Sequence, residues 1–177
     1  MPDDERLIAQ LKRGDKEALR QIYVEYKDNL MTVATSLLHD TGAAEDVLHD
    51  VFVSFAGSVH RLRLRGSLRN YLIASVVNRI RDQFRKKKYH MVELDQAGRV
   101  PADAVAPERS AVLNEESRRL TEALARLPFE QRVTIVLHLN GRMKFKEIAQ
   151  MQGIPISTVQ GRYRYGLDKL RTILKER

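Results

Sequence analysis

A chain of 177 residues with 43% hydrophobic residues has room for one or two small cored domains, and its lack of cysteine removes disulfides, thiol catalysis and cysteine-ligated zinc together. Its 31 Lys and Arg against 23 Asp and Glu leave a formal charge of +8, which favours a polyanionic partner, either nucleic acid or an anionic membrane surface. No apolar run approaches the roughly 18 residues of a spanning helix, and the acidic N-terminus has no signal-peptide core, so a cytoplasmic protein without membrane insertion is expected.

The first elements are helical. Leu7, Ile8 and Leu11 give an amphipathic helix over 3–12, closed by Gly14. Asp15 can cap the next helix, Glu17 supplies charge for its first turn, and an apolar stripe from Leu19 through Tyr23, Leu30 and Ala34 carries it to about Leu38. Residues 39–42 read as a turn, with Thr41 as the cap of a third helix over 43–56, AAEDVLHDVFVSFA. That helix is acidic inside a basic protein: Asp40, Glu45, Asp46 and Asp50 face no Lys or Arg, and Val47, Leu48, Val51, Phe52 and Phe55 cover more than one helical face. Two readings stand, a core helix with a solvated acidic edge and a docking surface for a partner with basic residues.

The charge then reverses. An irregular basic loop, GSVHRLRLRG over 57–66, leads into a helix expected from Ser67 to about Lys88, and between Arg61 and Lys88 ten cations stand against Asp82 alone. Leu68, Tyr71, Leu72, Ser75, Val76, Ile80 and Phe84 define its buried stripe, leaving Asn78, Arg79, Asp82 and Arg85 toward the surface. A cationic loop followed by a cationic helix makes an electrostatic track for a phosphate backbone, a single strand included.

Residues 92–112 lose periodicity and gather Gly98, Pro101 and Pro107, which marks a flexible linker and a domain boundary. Helical pattern resumes over 107–127 through Leu113, Leu120 and Leu124, stops at Pro128, and returns over 129–140 up to Gly141. The last stretch, KFKEIAQMQGIPISTVQGRYRYGLDKLRTIL, reads as a helix-turn-helix: Ala149 is small enough for a close helix crossing, and Gly153 makes the turn. Pro155 fits a first helical position and Ser157 with Gln160 a capping box, so the start of the second helix is open between them. Val159, Tyr163, Leu167, Leu170 and Leu174 form its buried stripe. Ser157, Thr158, Gln160, Gly161, Arg162, Arg164, Tyr165 and Lys169 face outward, a set suited to phosphates and base edges in a major groove.

Little points to an enzyme. The His39-Asp40 and His49-Asp50 pairs raise a metal-dependent phosphohydrolase, but HxxxH spacing, a glycine-rich phosphate loop and GxSxG are all missing, so no catalytic residue, metal or cofactor is expected. The two surviving readings are a helix-turn-helix regulator with a helical sensing or dimerising domain, and a protein that joins DNA to a large partner. No tail is expected beyond the last helix.

Three segments resemble, in order, motifs of the extracytoplasmic-function sigma factors of bacterial RNA polymerase, in the sigma-70 family. AEDVLHDVFVSFA resembles the core-polymerase-binding helix, LRGSLRNYLIASVVNRIRDQFRKK the promoter-melting and minus-ten segment, and LARLPFEQRVTIVLHLNGRMKFKEIAQMQGIPISTVQGRYRYGLDKLR the minus-thirty-five-binding domain. Tyr71 stands where that family often has Trp, His49 where Gln is usual, and Gln160-Gly161 where a basic residue and Ser are common.

The resemblance implies an all-α chain of two helical domains. Residues 1–91 would bind core polymerase and the minus-ten element, 92–111 would link, and 112–177 would read the minus-thirty-five element through a helix-turn-helix. It implies that Asp46, His49, Asp50 and Phe52 meet the polymerase, and that Arg61, Arg63, Arg65, Asn78, Arg79, Asp82 and Arg85 handle the melted non-template strand, with a base flipped into the loop over 58–66. Ser157, Thr158, Gln160, Gly161, Arg162, Arg164 and Tyr165 would contact the upstream duplex, and an anti-sigma factor is an implied partner. Binding without turnover is the implied mechanism, with affinity gained by simultaneous engagement of two tethered units.

Overall fold

In the computed structural model of the chain, residues 2–64, 66–96 and 115–176 are described, apart from the side chains of residues 2 and 87–96. Helices α1 (Pro2–Lys12), α2 (Lys16–Leu38), α3 (Thr41–Ser58) and α4 (Leu68–Gln96) form one group, and α5 (Glu115–Ala125), α6 (Phe129–Leu139), α7 (Phe145–Gln152) and α8 (Ile156–Lys175) form the other. Among the described residues there is no strand, and the all-α expectation is met.

Local chemistry sets most of the boundaries. The Asp15 carboxylate accepts the Glu17 N–H at 2.9 Å and starts α2. The helix ends where His39 turns left-handed at φ 58 and gives its N–H to Thr35 O. That turn leaves Asp40 extended, at φ −140, so Asp40 rather than Thr41 caps α3, accepting the Ala43 N–H at 2.9 Å. The acidic helix is longer than expected, running to Ser58, and a 3-10 turn at Val59–Arg61 replaces the first part of the irregular loop. The Ser67 hydroxyl accepts the Asn70 N–H at 3.2 Å at the head of α4. That helix continues to Gln96, past Lys88 and five residues into the segment read as linker, because nothing between them breaks a helix before Gly98. The rest of the linker and Leu113 lie outside the described residues.

In the first group α2 lies against α3 and α4, and α1 closes over α2 and the 3-10 turn. Ile22, Leu30, Leu37, Phe55, Leu72, Ile73 and Ile80 are fully buried there, each worth roughly 1.5–3 kcal/mol of transfer free energy. Phe84, read as part of the buried stripe of α4, is 38% exposed and stacks instead against Phe129 at 5.0 Å. In the second group α8 packs across α5, α6 and α7. Leu120, read into the apolar stripe of α5, is exposed.

The two groups are in contact. Val133, Val136, Leu137, Met143 and Ile148 of the second join the same buried cluster as Leu30, Leu72 and Ile73 of the first. Polar bonds frame this seam at the α6–α7 corner: Asn29 Nδ2 donates to Asn140 O at 3.2 Å, Asn140 Nδ2 to Ser36 Oγ at 2.8 Å, and Arg69 to Gly141 O. Asn70 Nδ2 donates to Glu147 at 2.9 Å, and Arg132 Nη1 lies 3.2 Å from His39 Nε2.

Candidate functional site

Three faces carry the residues that the sequence singles out. The first lies between α2 and α3. Helical spacing points Tyr23 and Val53 away from the core, leaving them 43% and 60% exposed, while Phe52 is turned inward and meets Tyr23 edge-on at 4.9 Å. Together with Met31, Leu48 and His49 they line a groove of about 950 Å³, rimmed by Lys16, Arg20, Lys27, Asp28 and Glu45. An apolar trough with a charged rim is the form that accepts an amphipathic helix. His49 and Phe52 therefore share this groove, whereas Asp46 is exposed on α3 outside its lining. Asp50 turns the other way, toward α4, and accepts from Arg79 Nε at 3.1 Å. Tyr23, read into the apolar stripe of α2, is half exposed instead, at the edge of that stripe where it lines the groove. Val53 is a lining residue that the sequence reading passes over.

The second face is the basic loop and the head of α4. Val59 is buried, and Lys12 Nζ donates to Leu62 O at 2.9 Å, which ties the loop to α1 and leaves Arg61 and Arg63 exposed. Arg65 lies outside the described residues. On α4 the side chains of Asn78, Arg79 and Arg85 are exposed and share one side of the helix with Asp82. The cations there are partly committed: Arg79 to Asp50, and Arg85 to Asp82 at 2.8 Å. Asn78 Oδ1 accepts from Arg81 Nη1 at 3.0 Å, and Arg81 Nε in turn donates to Glu130 at 3.1 Å. Exposed pairs of this kind contribute at most about 1 kcal/mol each and exchange readily for phosphate contacts.

The third face is the pair α7–α8. Glu147 accepts the Lys144 N–H at 2.7 Å and so starts α7. That bond, with the Asn70 amide beside it, holds the Glu147 carboxyl below the usual carboxylate range. Gly153, at φ 65, makes the turn, and Ala149 is buried at the crossing. Pro155 precedes α8 as its cap residue without a side-chain bond, and Ser157 lies inside the first turn. Neither start considered from the sequence applies: Pro155, extended at ψ 145, is the cap rather than the first helical residue, and it sets the boundary two residues earlier than a Ser157 cap would. His138, Phe145 and Tyr163 stack on one another behind α8, with ring centroids 4.3–5.1 Å apart. On the outward side Ser157, Thr158, Gln160, Arg164 and Tyr165 are exposed, the Arg164 guanidinium lying 5.0 Å over the Tyr165 ring. Arg162 is partly buried and already engaged, donating to Glu130 at 3.1 Å and to Gln152 at 3.0 Å.

Among the described residues no cluster of His, Asp and Glu could hold a metal ion, and no helix is long and apolar enough to cross a membrane. His39, one of the two histidines weighed as metal ligands, sits in the seam between the groups, where burial and then the Arg132 charge push its pKa down to about 4. Burial likewise lowers that of Arg132.

Comparison with known proteins adds to this geometry. The family profile described as Sigma-70 region 2 matches residues 22–89 and that described as Sigma-70, region 4 matches 117–170, together more than two thirds of the chain. The chain is 28% identical over 178 residues to the ECF RNA polymerase sigma factor SigW of Bacillus subtilis, covering 96% of this chain and 95% of that protein. In fold it is similar to CnrH, solved in complex with the cytosolic domain of CnrY, with TM-score 0.74 at 23% identity over 98% of both chains. It is also similar to the sigma factor RpoE of Bartonella quintana, solved in complex with the anti-sigma factor NepR, with TM-score 0.74 at 22% identity over 88% of this chain and 96% of that one.

Proposed function

Because the chain belongs to the extracytoplasmic-function group of the sigma-70 family and is an RNA polymerase sigma factor, we propose that its three faces divide the work of initiation between them. The groove between α2 and α3 takes a helix of core polymerase: its apolar floor at Phe52 and Val53 supplies area, and Asp46, His49 and the charged rim supply register. Asp50, paired with Arg79, couples that dock to the DNA face of α4.

The basic loop and α4 then receive the melted non-template strand. Flipping a base out of the stack costs a few kcal/mol, which Arg61, Arg63, Arg65 and Arg85 offset through phosphate attraction while Asn78, Arg79 and Asp82 lie along the strand. Helix α8 enters the major groove upstream. Ser157, Thr158, Gln160 and Gly161 approach base edges, and Arg162, Arg164 and Tyr165 approach phosphates. The corresponding units are residues 1–91 and 112–177 with a linker at 92–111, α4 running a turn past the first boundary. The protein acts in the cytoplasm by binding alone, and an anti-sigma factor is the partner expected to mask the groove, as the relative solved with NepR suggests by analogy.

The observation that carries the reading is the groove itself, an apolar trough beside α3, which has Glu45, Asp46 and Asp50 and no Lys or Arg in a basic chain. Pull-down with core polymerase tests it. Val53→Glu should cut core binding at least tenfold while leaving the melting temperature unchanged, since Val53 is 60% exposed. Undiminished core binding by that variant would remove the groove from the account. Binding to a palindromic duplex without any binding to core would return the chain to the helix-turn-helix regulators.

A further inference from the structure

Helix α1 precedes the part of the chain that matches Sigma-70 region 2, and it lines no part of the groove between α2 and α3. What it holds is the basic loop. Leu7, Ile8 and Leu11 form its buried side, and it packs on the 3-10 turn at Val59–Arg61, in which Val59 is buried. At its last residue the Lys12 ammonium donates to Leu62 O at 2.9 Å, fifty residues along the chain. Near its first turn Tyr26 Oη donates to Asp4 Oδ1 at 2.6 Å, which fastens α1 to α2. The helix is thus tied at one end to the core and at the other to the loop.

The loop has a definite form. Leu62 is extended, at φ −65 and ψ 123, and its N–H closes the turn on Val59 O at 3.1 Å. Leu62 and Leu64 pack against the core, while Arg61 and Arg63 stay exposed. That is the two-residue alternation of an extended chain, so this stretch is a row of cations with an apolar back. Successive arginines in such a row stand about 6.4–6.8 Å apart, close to the step between phosphates of a stretched single strand.

We propose that α1 is the template of the strand-capturing loop and that Lys12 is its positioning residue: by holding the Leu62 carbonyl, Lys12 fixes the direction in which Arg61 and Arg63 meet the melted strand. The inference rests on the reading of this loop as the site of a flipped base.

The apolar anchors alone do not fix that direction. Val59, Leu62 and Leu64 hold the loop down, but burial is indifferent to rotation of the segment about its own axis. A hydrogen bond is directional, and this one is made to the backbone between the two exposed arginines. Lys12 is itself partly buried, with its ammonium turned onto the carbonyl, and no carboxylate among the described residues pairs with it. Placement matters more for a base than for a phosphate. Counterion release follows the number of charges near the strand, whereas seating one unstacked base needs contacts at hydrogen-bond distance. A loop fixed beforehand is spared the cost of ordering at the moment of capture.

The test uses the full chain with core polymerase and a pre-melted promoter selected by transcription with the wild-type protein. The non-template strand carries 2-aminopurine in turn at each minus-ten position, and in wild type one position should brighten as its base leaves the stack. Lys12→Met keeps the apolar stem and removes the donor. It should cut that signal at least fivefold, with core binding and upstream duplex affinity within twofold of wild type. Lys12→Arg, which can still donate to the carbonyl, should restore most of the signal. Tyr26→Phe, which frees the other end of α1, should lower it about twofold. The salt slope for single-strand binding should be the same in Lys12→Met as in wild type; a slope smaller in magnitude by about 0.7 makes Lys12 a phosphate contact and overturns the proposal. An unchanged signal in Lys12→Met overturns it too, as does a loss of signal matched by an equal loss of core binding, the mark of general destabilisation. A wild-type protein that binds core yet brightens no position removes the flipped-base reading itself, which separates failure of the site from failure of Lys12.

Discussion

Two glycines in α8, five residues apart, separate what the helix needs for folding from what it needs for DNA. At Gly161 an added Cβ would meet only Tyr165 Cε2, at 3.9 Å, an ordinary contact. At Gly166 it would lie 2.9 Å from Ile135 Cδ1 and 3.2 Å from Gln131 Cβ, and Ile135 is itself buried at 3% exposure with little room to yield. Removing a glycine from mid-helix gains about 0.5–1 kcal/mol at either place. Overpacking a filled crossing costs about 1–3 kcal/mol. Gly161→Ala should therefore stabilise by up to about 1 kcal/mol. Gly166→Ala should come out neutral to about 2 kcal/mol destabilised, a separation of several degrees in Tm at about 2–4 °C per kcal/mol for a chain of this size. No described residue crowds Gly161, so the proposed close approach of the helix backbone to the duplex is tested there directly: Gly161→Ala should lose about tenfold in upstream duplex affinity despite its added stability. Urea unfolding of the two variants beside a fluorescence titration of duplex separates these effects. Equal stabilisation by both substitutions would refute the packing argument at Gly166; unchanged duplex affinity at Gly161 would refute the contact.

Arg162→Ala should weaken upstream duplex binding and lower the magnitude of the salt slope by about 0.9, the signature of one lost phosphate contact; an unaltered slope places that guanidinium elsewhere. Asn78→Ala should impair strand opening at the promoter with core binding intact, and a normal permanganate footprint would count against it. Acid should loosen the seam. The His39 imidazole is held near 4 from an ordinary 6.5, mainly by burial, so the unfolded chain binds a proton that the folded chain does not. The contribution is whole above pH 6.5 and fades as pH falls toward 4. Discounted for the ring's partial contact with solvent, it amounts to about 1–2 kcal/mol. A fluorescent pair on α2 and α8 should report separation over that window in wild type and a flatter response in His39→Gln; identical profiles would exclude His39.

Much of this was legible in the sequence where chemistry is local. The limits of α2 follow from Asp15 and a continuous stripe, and the turn at Gly153 from the left-handed backbone that glycine accepts. The start of α3 was misread because Asp40 and Thr41 can both cap, and only the turn at His39 decides between them. The reach of α4 to Gln96 was missed because fading hydrophobic periodicity signals loss of a packing partner, not the end of a helix. Arg132, buried at 7% exposure, and Glu130 were not singled out at all. Their partners His39 and Arg81 lie 93 and 49 residues away, and no local pattern encodes a bond across that distance. The same holds for Phe84, an apolar residue at stripe spacing whose partner Phe129 belongs to the other half of the chain.

The seam differs in composition from the interior of the first group. Its apolar part, Val133, Val136 and Leu137 against the first group, gives it direction. The polar frame adds little net stability, since ion pairs such as Arg81–Glu130 and Arg162–Glu130 remain about a third exposed on both partners. Buried side-chain atoms without a protein partner among the described residues are Asn29 Oδ1, Arg132 Nε, Gln152 Nε2 and Gln131 Oε1. The first three belong to residues that bond at the seam or, for Gln152, to Arg162. Away from the seam the first group is apolar inside, with Ile22, Leu37 and Phe55 fully buried. A corner held by polar bonds should open locally more readily than a fully buried apolar core, so hydrogen exchange should release the amides of the α6–α7 corner well before those of α2 beneath Ile22.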